Sequence, residues 1–176
     1  MIKRNISMVL AVISLFFCAQ IHTSLAYFTT GQTAIKLNDT TALYTIDYEF
    51  GLNKQDLYMP IVAQRGLPWK SVEHTLGYTI QRNGTTTVDG TATGIVVANL
   101  PVVNGMYKIA KGAAQKMTLL VILTTKPNAE PADLRLQVDQ LPFYADYGKS
   151  TLATLQLNPS ELQYYVTPEV TLNYEN

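Results

Sequence analysis

The sequence predicts an all-β protein, an antiparallel β-sandwich of immunoglobulin-like or jelly-roll-like type. Three observations lead there. Apolar residues recur at every second position through much of the chain, the period of a strand with one buried face, while helical spacing is nearly absent. Turn signals come often, among them two Asn-Gly pairs, residues that tolerate the positive φ of tight hairpins. No amphipathic helix is on hand to carry the chain between parallel strands, so neighbouring strands are expected to pair antiparallel. Roughly eight to ten short strands joined in this way describe a sandwich.

The chain opens on MIKRN, with Lys3 and Arg4 positive, and then runs uncharged from Ile6 to Ile21 before HTSLA. A basic start, an apolar stretch and small residues at Ser24 and Ala26 are what a signal peptidase reads. Cleavage after Ala26 is therefore expected, with residues 1–26 a signal peptide and 27–176 a single β-sandwich domain. The competing reading is a retained anchor. The 16 uncharged residues fall just short of the ~17 that cross a bilayer, and a locally thinned membrane would accommodate them. Both readings put the rest of the chain outside the cytoplasm, secreted or at the cell surface. Membrane contact follows only if the leader is retained. Cys18 lies inside the apolar stretch, and SLFFC lacks the small residues that lipoprotein processing needs.

Residues 27–37, YFTTGQTAIKL, are uncharged except for Lys36 and carry Tyr27, Phe28, Ile35 and Leu37, so they can enter a sheet. In ALYTIDYEF, the positions Ala42, Tyr44, Ile46, Tyr48 and Phe50 form one apolar face against Thr45, Asp47 and Glu49, with Leu43 the exception. His74 shares parity with Leu76, Tyr78 and Ile80, which places it at a strand entrance. Asn83-Gly84 in YTIQRNGTTTV marks a hairpin with a type I′ turn. Asn104-Gly105 in LPVVNGMYKIA marks a loop or short hairpin. MTLLVILTT, 117–125, is apolar at both parities and reads as a central strand covered on both faces. TKPNAEPAD reads as a long turn. Alternation resumes with Leu134, Leu136 and Val138, then Ala153, Leu155 and Leu157, then Val170, Leu172 and Tyr174. LQLNPSELQYYV, between the last two, resembles the tyrosine-corner region of immunoglobulin-like sandwiches.

Composition excludes several functions. Without the leader, 11 basic residues face 13 acidic ones, a balance of about −2 with no basic field to gather nucleic acid. Cys18 is the only cysteine, so the mature chain has no disulfide, thiolate metal site or cysteine nucleophile. His74 is then the only histidine, with no G-x-S-x-G or H-E-x-x-H motif and no glycine-rich phosphate loop in the chain. No cofactor is expected. Asp47 and Glu49, spaced i, i+2, would serve glycoside or calcium chemistry only from a cleft. Asn38-Asp39-Thr40 and Asn83-Gly84-Thr85 match the glycosylation pattern. Of the aromatic residues, Trp69, Tyr144 and Tyr147 are left in loops by the alternation, where exposed rings stack on sugars or anchor proteins.

The opening of the mature chain, Ala26, Tyr27 and Phe28 directly after the apolar leader and followed by sandwich strands, resembles the TasA and camelysin group of exported bacterial proteins. The resemblance covers about a dozen residues and the general layout. It implies a jelly-roll-like sandwich and, for some members, assembly into extracellular matrix fibres by donation of an N-terminal strand. Residues 27–37 are the segment that would be donated. The protease activity ascribed to the camelysin branch has no recognisable zinc site here.

These readings converge on an exported, non-enzymatic structural subunit of the cell surface or of an extracellular, biofilm-type matrix, partnered by itself. The alternative is a secreted β-sandwich module that binds a surface glycan or protein through Trp69, Tyr144 and Tyr147.

Overall fold

The computed structural model describes residues 27–51, 54–66, 75–87, 89–125, 130–145, 152–156 and 163–172, with only the backbone described for 27–30, 152–156 and 163. The leader, Trp69, His74 and Tyr147 lie outside the described residues.

The chain is all-β. Its strands are β1 (Tyr27–Lys36), β2 (Thr41–Phe50), β3 (Leu57–Pro60), β4 (Val62–Arg65), β5 (Leu76–Arg82), β6 (Thr85–Thr86), β7 (Thr91–Val97), β8 (Val102–Val103), β9 (Met106–Ile109), β10 (Gln115–Thr124), β11 (Ala132–Tyr144), β12 (Leu152–Gln156) and β13 (Val170–Leu172). A single 3-10 turn, Gln163–Tyr165, is the only helical element among the described residues, and it occupies the place of the tyrosine-corner resemblance. Hydrogen bonding orders the strands β1-β2-β10-β7-β4-β5-β11-β3-β9-β8, with β12 and β13 also on β11 and β6 on β5. Pairing is antiparallel except between β4 and β5, which run parallel. The expectation of a purely antiparallel sheet is corrected there, because Ala63, Gln64 and Arg65 run alongside Leu76, Gly77 and Tyr78 in the same direction.

Alternation decides the core. On β2, Ala42, Tyr44, Ile46, Tyr48 and Phe50 are all buried, and every intervening residue is partly open. Met117, Leu119, Val121 and Leu123 of β10 continue that inner face, and Leu76, Tyr78 and Ile80 of β5 join the same cluster as Leu134, Leu136 and Val138 of β11. Each such side chain contributes on the order of 1.5–3 kcal/mol by leaving water. Although β2 and β11 are not neighbours in the ladder, the Tyr44 hydroxyl donates to the Leu134 carbonyl at 3.0 Å. Burial pushes the Tyr44 phenol well above its ordinary pKa, and that of Tyr78 to about 12. Both phenols therefore stay neutral.

Both Asn-Gly pairs turn hairpins. Asn83 and Gly84 have φ of 50° and 77°, joining β5 to β6, and Asn104 and Gly105 have 51° and 74°, joining β8 to β9. Positive φ at both central positions is what a type I′ turn requires.

One expectation fails on β10. It is central, lying between β2 and β7, but its outer face is not covered: Ile122 is 43% exposed. A two-faced apolar pattern reports only that both faces avoid charge.

The turn into β7 is held by a cation. Arg65 sends Nη1 to the Gly90 carbonyl at 3.0 Å and Nη2 to the Thr87 and Asp89 carbonyls at 2.5 and 3.2 Å. Desolvation lowers the guanidinium pKa, yet three carbonyls compensate for part of the lost water. Arg65→Met is expected to destabilise the protein by roughly 2–3 kcal/mol, because the aliphatic stem is kept while three acceptors lose a charged donor. Urea denaturation checks this, with Arg65→Lys recovering only part of the loss because an ammonium lacks the planar fork.

Candidate functional site

β1 is the edge strand of the long ladder, and from Gly31 to Lys36 it is held mostly by main-chain pairing, with Ala34 packed against the core. Its register with β2 runs from Tyr27 opposite Phe50 to Lys36 opposite Ala42, interrupted where Thr30 is left over between Thr29 and Gly31. That bulge breaks the strand into a short and a longer segment. An added Cβ at Gly31 would sit 3.3 Å from Asp47 Oδ2, so the bulge leaves little room for a side chain there.

No side chain from Gly31 to Lys36 is fully buried, whereas five of the ten on β2 are. Of the predicted strand-donor residues, Ile35 is 49% and Leu37 54% exposed, and Leu37 falls just beyond β1. Tyr27 and Phe28 lie on β1 opposite Phe50 and Glu49, and their side chains are outside the described part. Three side-chain contacts fasten the strand: Gln32 Nε2 to the Tyr164 carbonyl, Thr33 Oγ1 to Thr45 Oγ1 at 2.6 Å, and Lys36 Nζ to Asp39 Oδ1 at 2.7 Å. The last two are solvent-exposed and contribute little beyond the ladder.

Beside β1 spreads the outer face of β2, β10, β7 and β4. The registers align three rows of outward side chains across it. The first runs Ile35, Leu43, Ile122, Thr93; the second Thr33, Thr45, Leu120, Ile95, Val62; the third Gly31, Asp47, Thr118, Val97. Asp47 is the only charge among them, and it accepts from Thr118 Oγ1 at 2.6 Å. Glu49 lies one row further on, directly across from Lys116. The carboxylate pair Asp47 and Glu49 thus sits on the outer face of β2, in neighbouring rows. Among the described residues, no three His, Cys, Asp or Glu side chains group as a metal site would need.

The expected aromatic platform loses one member. Tyr144 was placed in a loop by the sequence, but β11 runs through it and it is 0% exposed, so its ring face is closed to a ligand. A bulge at Asp139 interrupts the alternation before it: Val138 pairs with Tyr78 and Gln140 with Gly77, so one residue is left over. Beyond the bulge Leu141, Pro142, Phe143 and Tyr144 are all buried, at both parities, so the strand goes on past the point where simple alternation ends. Asp139 itself accepts from Thr79 Oγ1 and Gln137 Nε2, both at 3.3 Å, and burial still pushes its carboxyl up to about 6.

Sequence reasoning missed Val62, Ile95 and Val97, the exposed aliphatics that complete the outer face. The signal available was the apolar run at both parities in GIVVANL, the counterpart of MTLLVILTT. No protein-family model matches this chain, and no curated protein matches it either.

Proposed function

We propose that the protein is an exported structural subunit of the cell surface or extracellular matrix, a β-sandwich that assembles by passing its N-terminal strand to a neighbouring copy. The observation that carries this reading is the seating of β1: an edge strand paired with β2 on both sides of the bulge at Thr30, with no fully buried side chain from Gly31 to Lys36. Such a strand is held by hydrogen bonds that any identical strand can replace, which is the chemistry of β-augmentation. Exchange between copies conserves the bonds, so concentration and geometry decide between the closed and the exchanged form. The Tyr44 contact to Leu134 across the core supports the sandwich layering. The resemblance at Ala26, Tyr27 and Phe28 supports export and matrix assembly. The binding-module alternative loses Tyr144 from its platform.

The test compares residues 27–176 with a chain starting at Asn38 by size distribution over a range of concentrations. Large assemblies in the first and none in the second are expected. A full-strand chain that stays monomeric when concentrated contradicts strand exchange.

A further inference from the structure

The geometry points to a second self-association surface, distinct from the exchanged strand: the outer face of β1, β2, β10, β7 and β4 packs against the same face of another copy of this chain. Ile122, Ile95, Val62 and Val97 stand there 43–56% exposed, joined in continuous rows by the strand registers. A contiguous apolar patch of this kind marks an interaction site.

Its chemistry narrows the partner. The three described rows hold no aromatic ring to stack on a sugar and no cation to meet phosphate or an anionic surface, and they alternate aliphatic side chains with threonines. Side chains of that shape interdigitate with another sheet of the same kind, at about 10 Å between sheets. A copy of the same face fits electrostatically as well. Asp47 is the lone charge in the three rows, while one end continues into the uncharged Thr41, Thr124 and Thr91 and the other into Glu49 across from Lys116. Neither end therefore repels a copy of itself, as a face of one sign would in a two-fold contact. The dimensions agree. Five strands by three rows at ordinary strand spacings span about 500 Å². Two such faces bury about 1,000 Å², at the lower limit for a specific interface. A reversible contact is the consequence, one that adds strength when many copies are already linked. A β1 received from a neighbour supplies the same Thr33 and Ile35, so the face survives exchange.

The test is sedimentation velocity on the protein as its host exports it, from about 1 μM to about 1 mM, beside Ile122→Asp and Ile95→Asp. Both positions are exposed, so folding is retained in at least one of the two, checked by thermal melting. The expected result is reversible association of the wild type that weakens at least about tenfold in each folded variant, since a two-fold contact meets every substitution twice. A chain starting at Asn38 separates this contact from strand exchange, because it loses β1 and keeps Ile122, Ile95 and Val62. A wild type that stays monomeric overturns the proposal. So does association that both variants leave unchanged, which puts the contact elsewhere. Retention of monomers on neutral phosphatidylcholine vesicles, abolished by Ile122→Asp, overturns it in favour of a lipid surface.

Discussion

Gly94→Ala is expected to cost about 1–3 kcal/mol of stability, the range for an overpacked core. Gly94 lies on β7 between Val121 of β10 and Ala63 of β4. A Cβ there would come within 2.7 Å of Tyr78 Cε1 and 3.1 Å of the Ala63 methyl. The obstructing ring cannot simply swing away, because Tyr78 is buried at the centre of the cluster. Chemical denaturation of the single variants and of Gly94→Ala with Tyr78→Leu forms a double-mutant cycle. The account predicts that the alanine costs much less when the ring is gone, a coupling that independent sites do not show. Additive effects would mean that the ring is not what excludes the methyl.

Asp139 sets an expected pH dependence. Its carboxyl is pushed to about 6 in the folded chain by burial, against the two hydrogen bonds it accepts from Thr79 and Gln137. In the unfolded chain it titrates near 3.9. Between those values the folded protein holds the extra proton, so the stabilisation is complete below about 4 and is lost as pH rises through about 6. The loss is up to about 3 kcal/mol, from the free energy of a pKa shift of this size. Asp139→Asn keeps an acceptor for both donors and removes the charge. It should flatten the stability profile across that window and raise stability at neutral pH. A drop of equal size in the asparagine variant would assign the effect to another group.

Much of the fold was legible because one-sided burial writes itself as a period of two. Ala42 to Phe50 and Leu134 to Val138 show it directly, and the Asn-Gly hairpins follow from the φ angles those residues tolerate. Three features escaped, each for a local reason. Beyond the bulge at Asp139, Leu141 to Tyr144 are buried at both parities, so no alternation marks Tyr144 as part of β11. The parallel pairing of β4 with β5 depends on a return path, which alternation does not encode. The open outer face of β10 was read as covered, because apolarity on two faces is the same in sequence whether the cover belongs to the chain or comes from outside it. Residues 27–36 were legible as a strand, but the shallow seating of Gly31 to Lys36 became visible only with the burial of β2 beside it.

The measurement that bears most directly on strand exchange is binding of the peptide YFTTGQTAIKL, residues 27–37, to the chain that starts at Asn38. Removing β1 leaves the β2 edge open to water, where its N–H and C=O groups stay hydrated and ready to pair. The account predicts saturable binding of one peptide per chain, with a rise in melting temperature as peptide is added, and competition from the full-strand protein. A folded truncated chain that ignores the peptide would contradict it, and β1 would then be only the first strand of its own domain.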